Sequence, residues 1–389
     1  MNAKVLALDS KELSRQLVEW RHHLHTHPEL SGEEAGTSSF VAEKLEEIGV
    51  PFIANVGGYG IVASLSREGS DRSVGLRADM DALPILEATN LPYASRTPGV
   101  MHACGHDGHT VCLLGAAAIL AADASWAGTV RFVFQPAEEA GTGARAMLAD
   151  GLLDRFPVDR FFAFHNWPGV QAGTVAVRPG IMMATTGRIR ITLRGEAAHA
   201  AMPHRARDPL HAAAQLIIAT QSIVSREIDA QDSAVISICV MNAGSAINQI
   251  PDEVTLGGIM RLHRPELREH IEASLRRVCE GIAEAFAVEV DCQIERGSQA
   301  CINTDEGAEI AQRAAVEAGF DMDPAPTPSM GGEDFSAMLS ARGGALAWIG
   351  NGPATGGRGL HSPHYDFNDD ILPVGAQWLA NVARLSLSH

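Results

Sequence analysis

Cysteine is scarce in this 389-residue chain: six residues, at positions 104, 112, 239, 279, 292 and 301, with no CxxC spacing. That pattern excludes a disulfide-stapled scaffold and fits thiols kept reduced. Basic side chains are also short, 30 against 47 acidic ones, for a formal net charge of −17. Such a field repels phosphate backbones and anionic lipid surfaces, so neither nucleic acid nor a membrane is an expected partner. Long apolar runs are missing as well. The longest uncharged stretch, Ser233–Pro251, is interrupted by Asn242, Gly244, Asn248 and Gln249. The most apolar one, Val111–Ala122, falls well short of the roughly 20 residues of a spanning helix. At the N-terminus only Val5–Leu8 is apolar before Asp9, too short for a secretory h-region, so a cytoplasmic location is expected. Internal repeats and low-complexity segments are absent.

What is present is the composition of a folded protein, 46% hydrophobic and 20% charged, on a chain long enough for two or three domains at about 150 residues each. Ser10–Gly49 reads as two helices around the turn His27–Gly32. Strand-like runs at Gly60–Leu65, Ser73–Asp79, Thr129–Phe134 and Phe161–Phe164 alternate with helical segments after Asp107 and over Gly141–Asp150. This alternation predicts an α/β sheet covered by helices on both faces, with functional groups at strand ends. From about Met182 the pattern changes to strand, helix, strand, strand, helix, strand, ending near Ile294. The order βαββαβ predicts a ferredoxin-like unit inserted into the first domain. The expected division is therefore 1–185 with 300–389 as one discontinuous domain, and 186–299 as the insert, with hinges near Thr185 and Ala300.

The densest chemical signal is Met101-His-Ala-Cys-Gly-His-Asp-Gly-His109, three histidines and a cysteine at a helix entrance, with glycines beside His106-Asp107 that let the backbone bend. Thiolate and imidazole are ligands for zinc and similar ions, although a polar helix start with an incidental cysteine would look the same. Glu138 and Glu139 follow a hydrophobic strand. Adjacent carboxylates there call for a cation, one ligating it while the other serves as general base, whereas on a solvated helix they would mean nothing. His165 closes an aromatic strand and His361 lies in a polar loop ahead of an apolar helix; each alone fits a satisfied structural histidine. The glycine cluster Gly57-Gly58-Tyr59-Gly60 lacks the Lys-Ser/Thr ending of a phosphate loop and reads as a turn.

Seven segments in order, Arg21–Ser31, Leu76–Ile85, Met101–His109, Phe134–Glu139, Gly173–Gly180, His199–His204 and Tyr365–Asp369, resemble the two-metal amidohydrolase and carboxypeptidase family. Within it they are similar to the branch of hippurate hydrolases, N-acyl-amino-acid amidohydrolases and indole-acetyl-amino-acid hydrolases. The resemblance implies a mixed-sheet, zinc-peptidase-like catalytic domain with a lid or dimerisation domain inserted. It implies two divalent ions per chain, zinc or else manganese, cobalt or nickel, held by Cys104, His106, Glu139, His165 and His361, with Glu138 as base. It assigns His199 to the oxyanion, in its own site or a partner's, and places Asn248 and Glu333 near substrate, although Asn248 also fits a plain turn before Pro251. Distant relatives carry His-x-Asp where this chain has Asp79-Met80-Asp81, so these carboxylates are expected to orient ligands from behind, as His102 and His109 could. The implied substrate is an N-acyl amino acid and the implied assembly a homodimer or homotetramer. A carboxypeptidase or dipeptidase would use the same core, while a binding protein without catalysis or a protein with one structural zinc would not need an intact base.

Overall fold

The structure is a computed structural model in which residues 10–388 are described. The N-terminal stretch Met1–Asp9, on which the absence of a secretory segment was read, lies outside the described residues. The chain forms two compact units, one from residues 10–182, Cys301–Thr327 and Asp334–Ser388, the other from Met183–Ala300 and Pro328–Glu333. No described helix is long and apolar enough to cross a membrane.

The first unit begins with helices α1 (Ser10–Thr26) and α2 (Ala35–Ile48), then strands β1 (Phe52–Ala54), β2 (Ile61–Arg67) and β3 (Ser73–Asp79). Helix α3 (His106–Ala122), β4 (Gly128–Gln135), α4 (Gly143–Ala149), α5 (Leu152–Arg155), β5 (Arg160–Pro168), β6 (Val175–Ala176) and β7 (Gly180–Met183) follow. The eight-stranded sheet of this unit is completed by two strands from the C-terminal third, Met322–Asp323 and Gly344–Gly352. At its centre β4, β3, β5 and Gly344–Gly352 run parallel, while β1 and β2 add antiparallel pairs at one edge. Central parallel strands are buried on both faces and so carry near-continuous apolar runs, as Phe161–Phe164 does. Alternation along β3 turns Leu76 and Ala78 into the main core, leaving Arg77 for a buried polar network. Strand β5 runs past the aromatic run to Pro168, so His165 sits within the strand rather than at its end.

The second unit contains β8 (Thr185–Arg194), β9 (Ala198–His199), α6 (Pro209–Glu227), β10 (Ala234–Ala243), β11 (Gln249–Ile250), β12 (Glu253–Leu262), α7 (Arg268–Phe286) and β13 (Glu289–Arg296). Its sheet is antiparallel in the order β10-β12-β8-β13, with the apolar faces of α6 and α7 packed on one side around Ile191, Leu193, Leu216, Ile271 and Leu275. Asp208 starts α6 by accepting from the amides of Leu210 and His211 at 2.9 and 3.1 Å, with Pro209 in the first turn. The expected division assigned all of 300–389 to the first domain. Pro328–Glu333 instead belongs to the second unit, because Ser329 bridges Met183, its carbonyl meets His263 Nε2 at 3.1 Å, and Gly331 accepts from the Ala184 amide at 2.9 Å.

The chain returns to the first unit through β14 (Cys301–Asn303), α8 (Asp305–Glu317), β15 (Met322–Asp323), α9 (Ser336–Arg342), β16 (Gly344–Gly352) and α10 (Leu372–Ser388). Helices α3 and α10 pack closely because glycines meet at the contact: Gly115 faces Ala376 and Leu17, and Gly375 faces Cys112 and Phe164. This fixes the N-terminal end of α3, which carries the cysteine-histidine motif, against the strand ends.

Candidate metal centre

Gly105 caps α3 in the left-handed conformation, φ 94°, and its Cα faces Asn166 and Tyr365 so closely that no side chain would fit. The turn it makes brings Cys104 to β5, where Cys104 Sγ lies 3.3 Å from His165 Nε2. His165 Nδ1 donates to the Asn166 carbonyl at 2.7 Å, which leaves Nε2 as a lone pair facing the thiol. Burial, and next His109, hold the His165 ring in its neutral form.

One turn on, His106 is fully buried, with Nδ1 3.1 Å from Asp81 Oδ1. Its Nε2 has no hydrogen-bond partner, and neither does the buried Glu139 Oε1 3.9 Å away. The same Glu139 oxygen lies 3.4 Å from Nε2 of His361. His361 is held at φ 61° with its amide donating to the Ala103 carbonyl at 2.8 Å, a left-handed backbone that costs a non-glycine residue about 1–3 kcal/mol.

Glu138 and Glu139 occupy the turn after β4. Ala137, at φ 52°, begins it and donates its amide to the buried Glu34 carboxylate at 2.8 Å. Glu139 is anchored by its amide to Asp81 Oδ2 at 2.9 Å. Glu138 Oε1 accepts from the Asp334 amide at 3.2 Å, and Asp334 is tied by its side chain to Gln135 at 2.7 Å, the Ala144 amide at 2.9 Å and Arg77 at 3.1 Å.

Three overlapping groups of potential ligand atoms result, in each of which all atoms lie within 4.8 Å of one another: Cys104, His106 and His165; Cys104, Glu139 and His361; His106, Glu138 and Glu139. A fourth, Asp79 with His106 and His109, is already satisfied differently. His109 Nδ1 meets Asp79 at 2.6 Å, its Nε2 meets Asn166, and Asp79 also receives Arg77 at 2.7 Å. The electrostatics of the first three suit a cation. Burial, followed by Glu139, Glu138 and Asp79, drives the Cys104 thiol well above its ordinary range. Burial opposes a charged His106, yet Asp79, Asp81 and Glu139 outweigh it and push the ring up to about 10. A buried thiol and an imidazole that hold their protons among carboxylates are donors that a divalent ion would deprotonate. The unpartnered His106 Nε2 and Glu139 Oε1 face the same small space, so the donor set fits a metal.

In the second unit, His199 and Asn248 are brought together on the β9–β11 ribbon, where Gln249 pairs with His199 and the Asn248 carbonyl accepts from Ala200 at 2.9 Å. Both are exposed. Glu333 is buried, in the segment Pro328–Glu333.

Reading the sequence missed Glu34 and the Arg77–Gln135–Asp334 network that hold the two glutamates. It also left Arg21 and His25 without a role. Buried Arg21 joins Asp369 at 2.5 Å, Asp366 at 3.2 Å and Asp107 at 3.4 Å, and His25 meets Asp107 at 2.8 Å, directly behind the His106 turn. The helical spacing of Arg21 and His25 was the available signal, but their partners are distant in sequence.

Residues 75–385 match peptidase family M20/M25/M40, and the chain belongs to that family. The family is metal-dependent, and the chain is an enzyme of its amidohydrolase kind. It is 39% identical to the hippurate hydrolase of Campylobacter jejuni over 96% of this chain and 97% of that protein. It is 38% identical to an N-acetyl-L-cysteine deacetylase of Bacillus subtilis over 96% of this chain and 88% of that protein. Among solved structures, the YXEP protein of Bacillus subtilis, a dinuclear metal-binding peptidase of the M20 family, superposes with a TM-score of 0.84 at 34% identity, covering 97% of this chain and 99% of that one.

Proposed function

We propose that the chain hydrolyses the amide bond of N-acyl amino acids, releasing a carboxylate and a free amino acid, with two divalent ions held by Cys104, His106, Glu139, His165 and His361. The observation that carries this reading is the meeting of buried, unpartnered His106 Nε2 and Glu139 Oε1 beside the Cys104–His165 pair. Sharing of Cys104 and Glu139 among the ligand groups supports two ions rather than one. When bound, such ions supply Lewis-acid polarisation of the scissile carbonyl and make water acidic enough to react at neutral pH. Zinc suits the thiolate ligand best, with manganese, cobalt or nickel as alternatives.

Glu138 acts as the general base: its carboxylate takes a proton from the attacking water and returns it to the leaving amine. Its Oε1 is held by the Asp334 amide, which fixes the carboxylate's direction through a network buried in the first unit. Tying Asp334 through Arg77 to β3 braces the turn that carries the base against a rigid strand. His199 stabilises the developing oxyanion, Asn248 and Glu333 contact substrate, and 186–299 serves as a lid and dimerisation domain of a cytoplasmic homodimer or homotetramer. Relatives named for benzoyl-glycine and acetyl-cysteine substrates support small acyl groups on an amino acid. A dipeptidase or carboxypeptidase of the same family is the second reading, favoured by the peptidase description of the YXEP protein.

Metal content per chain, paired with release of amino acid from hippurate, N-acetyl and arylacetyl amino acids and dipeptides, tests both. About two ions and chelator-sensitive release from the acyl substrates is expected. Release from dipeptides alone would favour the second reading, and one ion with no release would sink both.

A further inference from the structure

Outside the metal centre, the second unit places two thiols in one helix-on-strand packing layer. Cys279 lies on the buried face of α7, at 2% exposure, next to Leu275 in the core of this unit. Cys292 lies on β13, where alternation turns Val290, Cys292 and Ile294 toward the helices and Asp291 and Gln293 toward solvent. Strand register sets Cys292 opposite Ile191 of β8, beneath α7. The helix turn that carries Cys279 also carries Arg276, whose guanidinium donates to the Cys292 carbonyl at 3.2 Å, so α7 is anchored over that strand position. The sequence shows no CxxC, and only the packing of a helix on a strand brings this pair together.

The two thiols differ in exposure, Cys279 buried in the core and Cys292 half-buried, and this assigns them roles. Cys279, 2% exposed, is pushed well up by its neighbour Cys292 and by burial. Cys292 is shifted the other way by its neighbour Cys279, with Arg276 helping against burial. Cys292 is half-buried, so a small oxidant reaches its sulfur before that of Cys279.

We propose that Cys279 and Cys292 form a redox-active dithiol that a hydroperoxide converts to a disulfide, reversibly clasping α7 to β13. The Cys292 thiolate attacks one peroxide oxygen, the O–O bond breaks, and a sulfenic acid forms with loss of hydroxide or alkoxide, which takes up a proton. The Cys279 sulfur then attacks the Cys292 sulfur, the S–S bond forms, and the hydroxyl leaves as water with the Cys279 proton. The two sulfurs together lose two electrons and the peroxide oxygens gain them. A dithiol reductant reverses the step. The clasp sits a few residues before the chain leaves this unit at Ala300.

The test treats the full-length, metal-loaded Cys239→Ser chain, which lacks the exposed thiol, with stoichiometric hydrogen peroxide under non-denaturing conditions. Expected are a loss of about 2 Da per chain that dithiothreitol reverses and a linked pair of peptides containing Cys279 and Cys292 in a non-reduced digest. In Cys292→Ser and, separately, Cys279→Ala, the linked peptide should vanish, and the Cys279→Ala chain should instead trap a sulfenic acid on Cys292 with dimedone. Circular dichroism of both variants establishes that they fold. Irreversible oxygen addition at Cys292 in the Cys239→Ser chain without a linked peptide, unreacted thiols at both positions, or disulfides that pair either one with another cysteine would overturn the proposal.

Discussion

Asp81 Oδ1 lies 3.1 Å from Nδ1 of His106, while the other Asp81 oxygen accepts from the Glu139 amide at 2.9 Å. One carboxylate thus orients two of the candidate ligands at once. It turns His106 Nε2 inward and sets the backbone from which Glu139 reaches it. Replacing Asp81 with Asn keeps the shape but removes the charge that raises the ring's basicity, and groups placed behind metal ligands in this way typically change affinity by about 10- to 100-fold. Asp81→Asn should therefore bind zinc about 10- to 100-fold more weakly in a chelator competition. Unchanged affinity would show that His106 is not a ligand.

Glu138 and Glu139 are neighbours for which the proposed reaction sets separate tasks. Glu138→Gln should retain its metal, by elemental analysis, and lose about 10²- to 10⁴-fold in kcat, the span of general acid–base catalysis. Glu139→Gln should lose metal as well. Equal metal loss in the two variants would contradict the assignment of Glu138 as the base.

The turn between Cys104 and His106 depends on Gly105. Alanine there costs about 1–2 kcal/mol in left-handed backbone alone, and its Cβ would collide with Asn166 Oδ1 and Tyr365 Oη. Gly105→Ala should fold less stably and fail to hold the ions, whereas Gly99→Ala, also at positive φ but with open space around it, should show the backbone cost without metal loss. Thermal melts with and without zinc separate the two effects: zinc should raise the midpoint of Gly99→Ala and leave Gly105→Ala unmoved.

His25 carries a pH signature. Burial disfavours its charge, but Asp107 and Glu87 outweigh burial and raise it from 6.5 to about 9. A raised histidine contributes stability that is complete below about pH 6.5 and is lost as pH climbs through about 9. The interval corresponds to roughly 3 kcal/mol. Wild-type unfolding free energy should fall between pH 6.5 and 9.5, and His25→Gln should flatten that fall while being less stable at pH 6.5. Parallel curves for the two proteins would mean that His25 does not hold its proton through Asp107.

Much of this molecule was legible before any coordinates. The ligand types in Met101–His109, the Glu138-Glu139 pair and the alternation of strands and helices are local features, written within a few residues of one another, and the family resemblance rested on them. Hydrophobic periodicity and turn residues also exposed the βαββαβ insert, because both follow from backbone geometry. The sequence by itself determined which chemistry was present and in what order along the chain. The tertiary structure alone decided which histidine nitrogen faces inward, that Glu34 and Asp334 hold the Glu138-Glu139 turn, that Pro328–Glu333 joins the second unit, and that Cys279 and Cys292 share one packing layer. Each of these is a pairing between residues on different elements. Nothing in local propensity encodes such a pairing; it arises when packed faces fix the distance and direction between distant side chains.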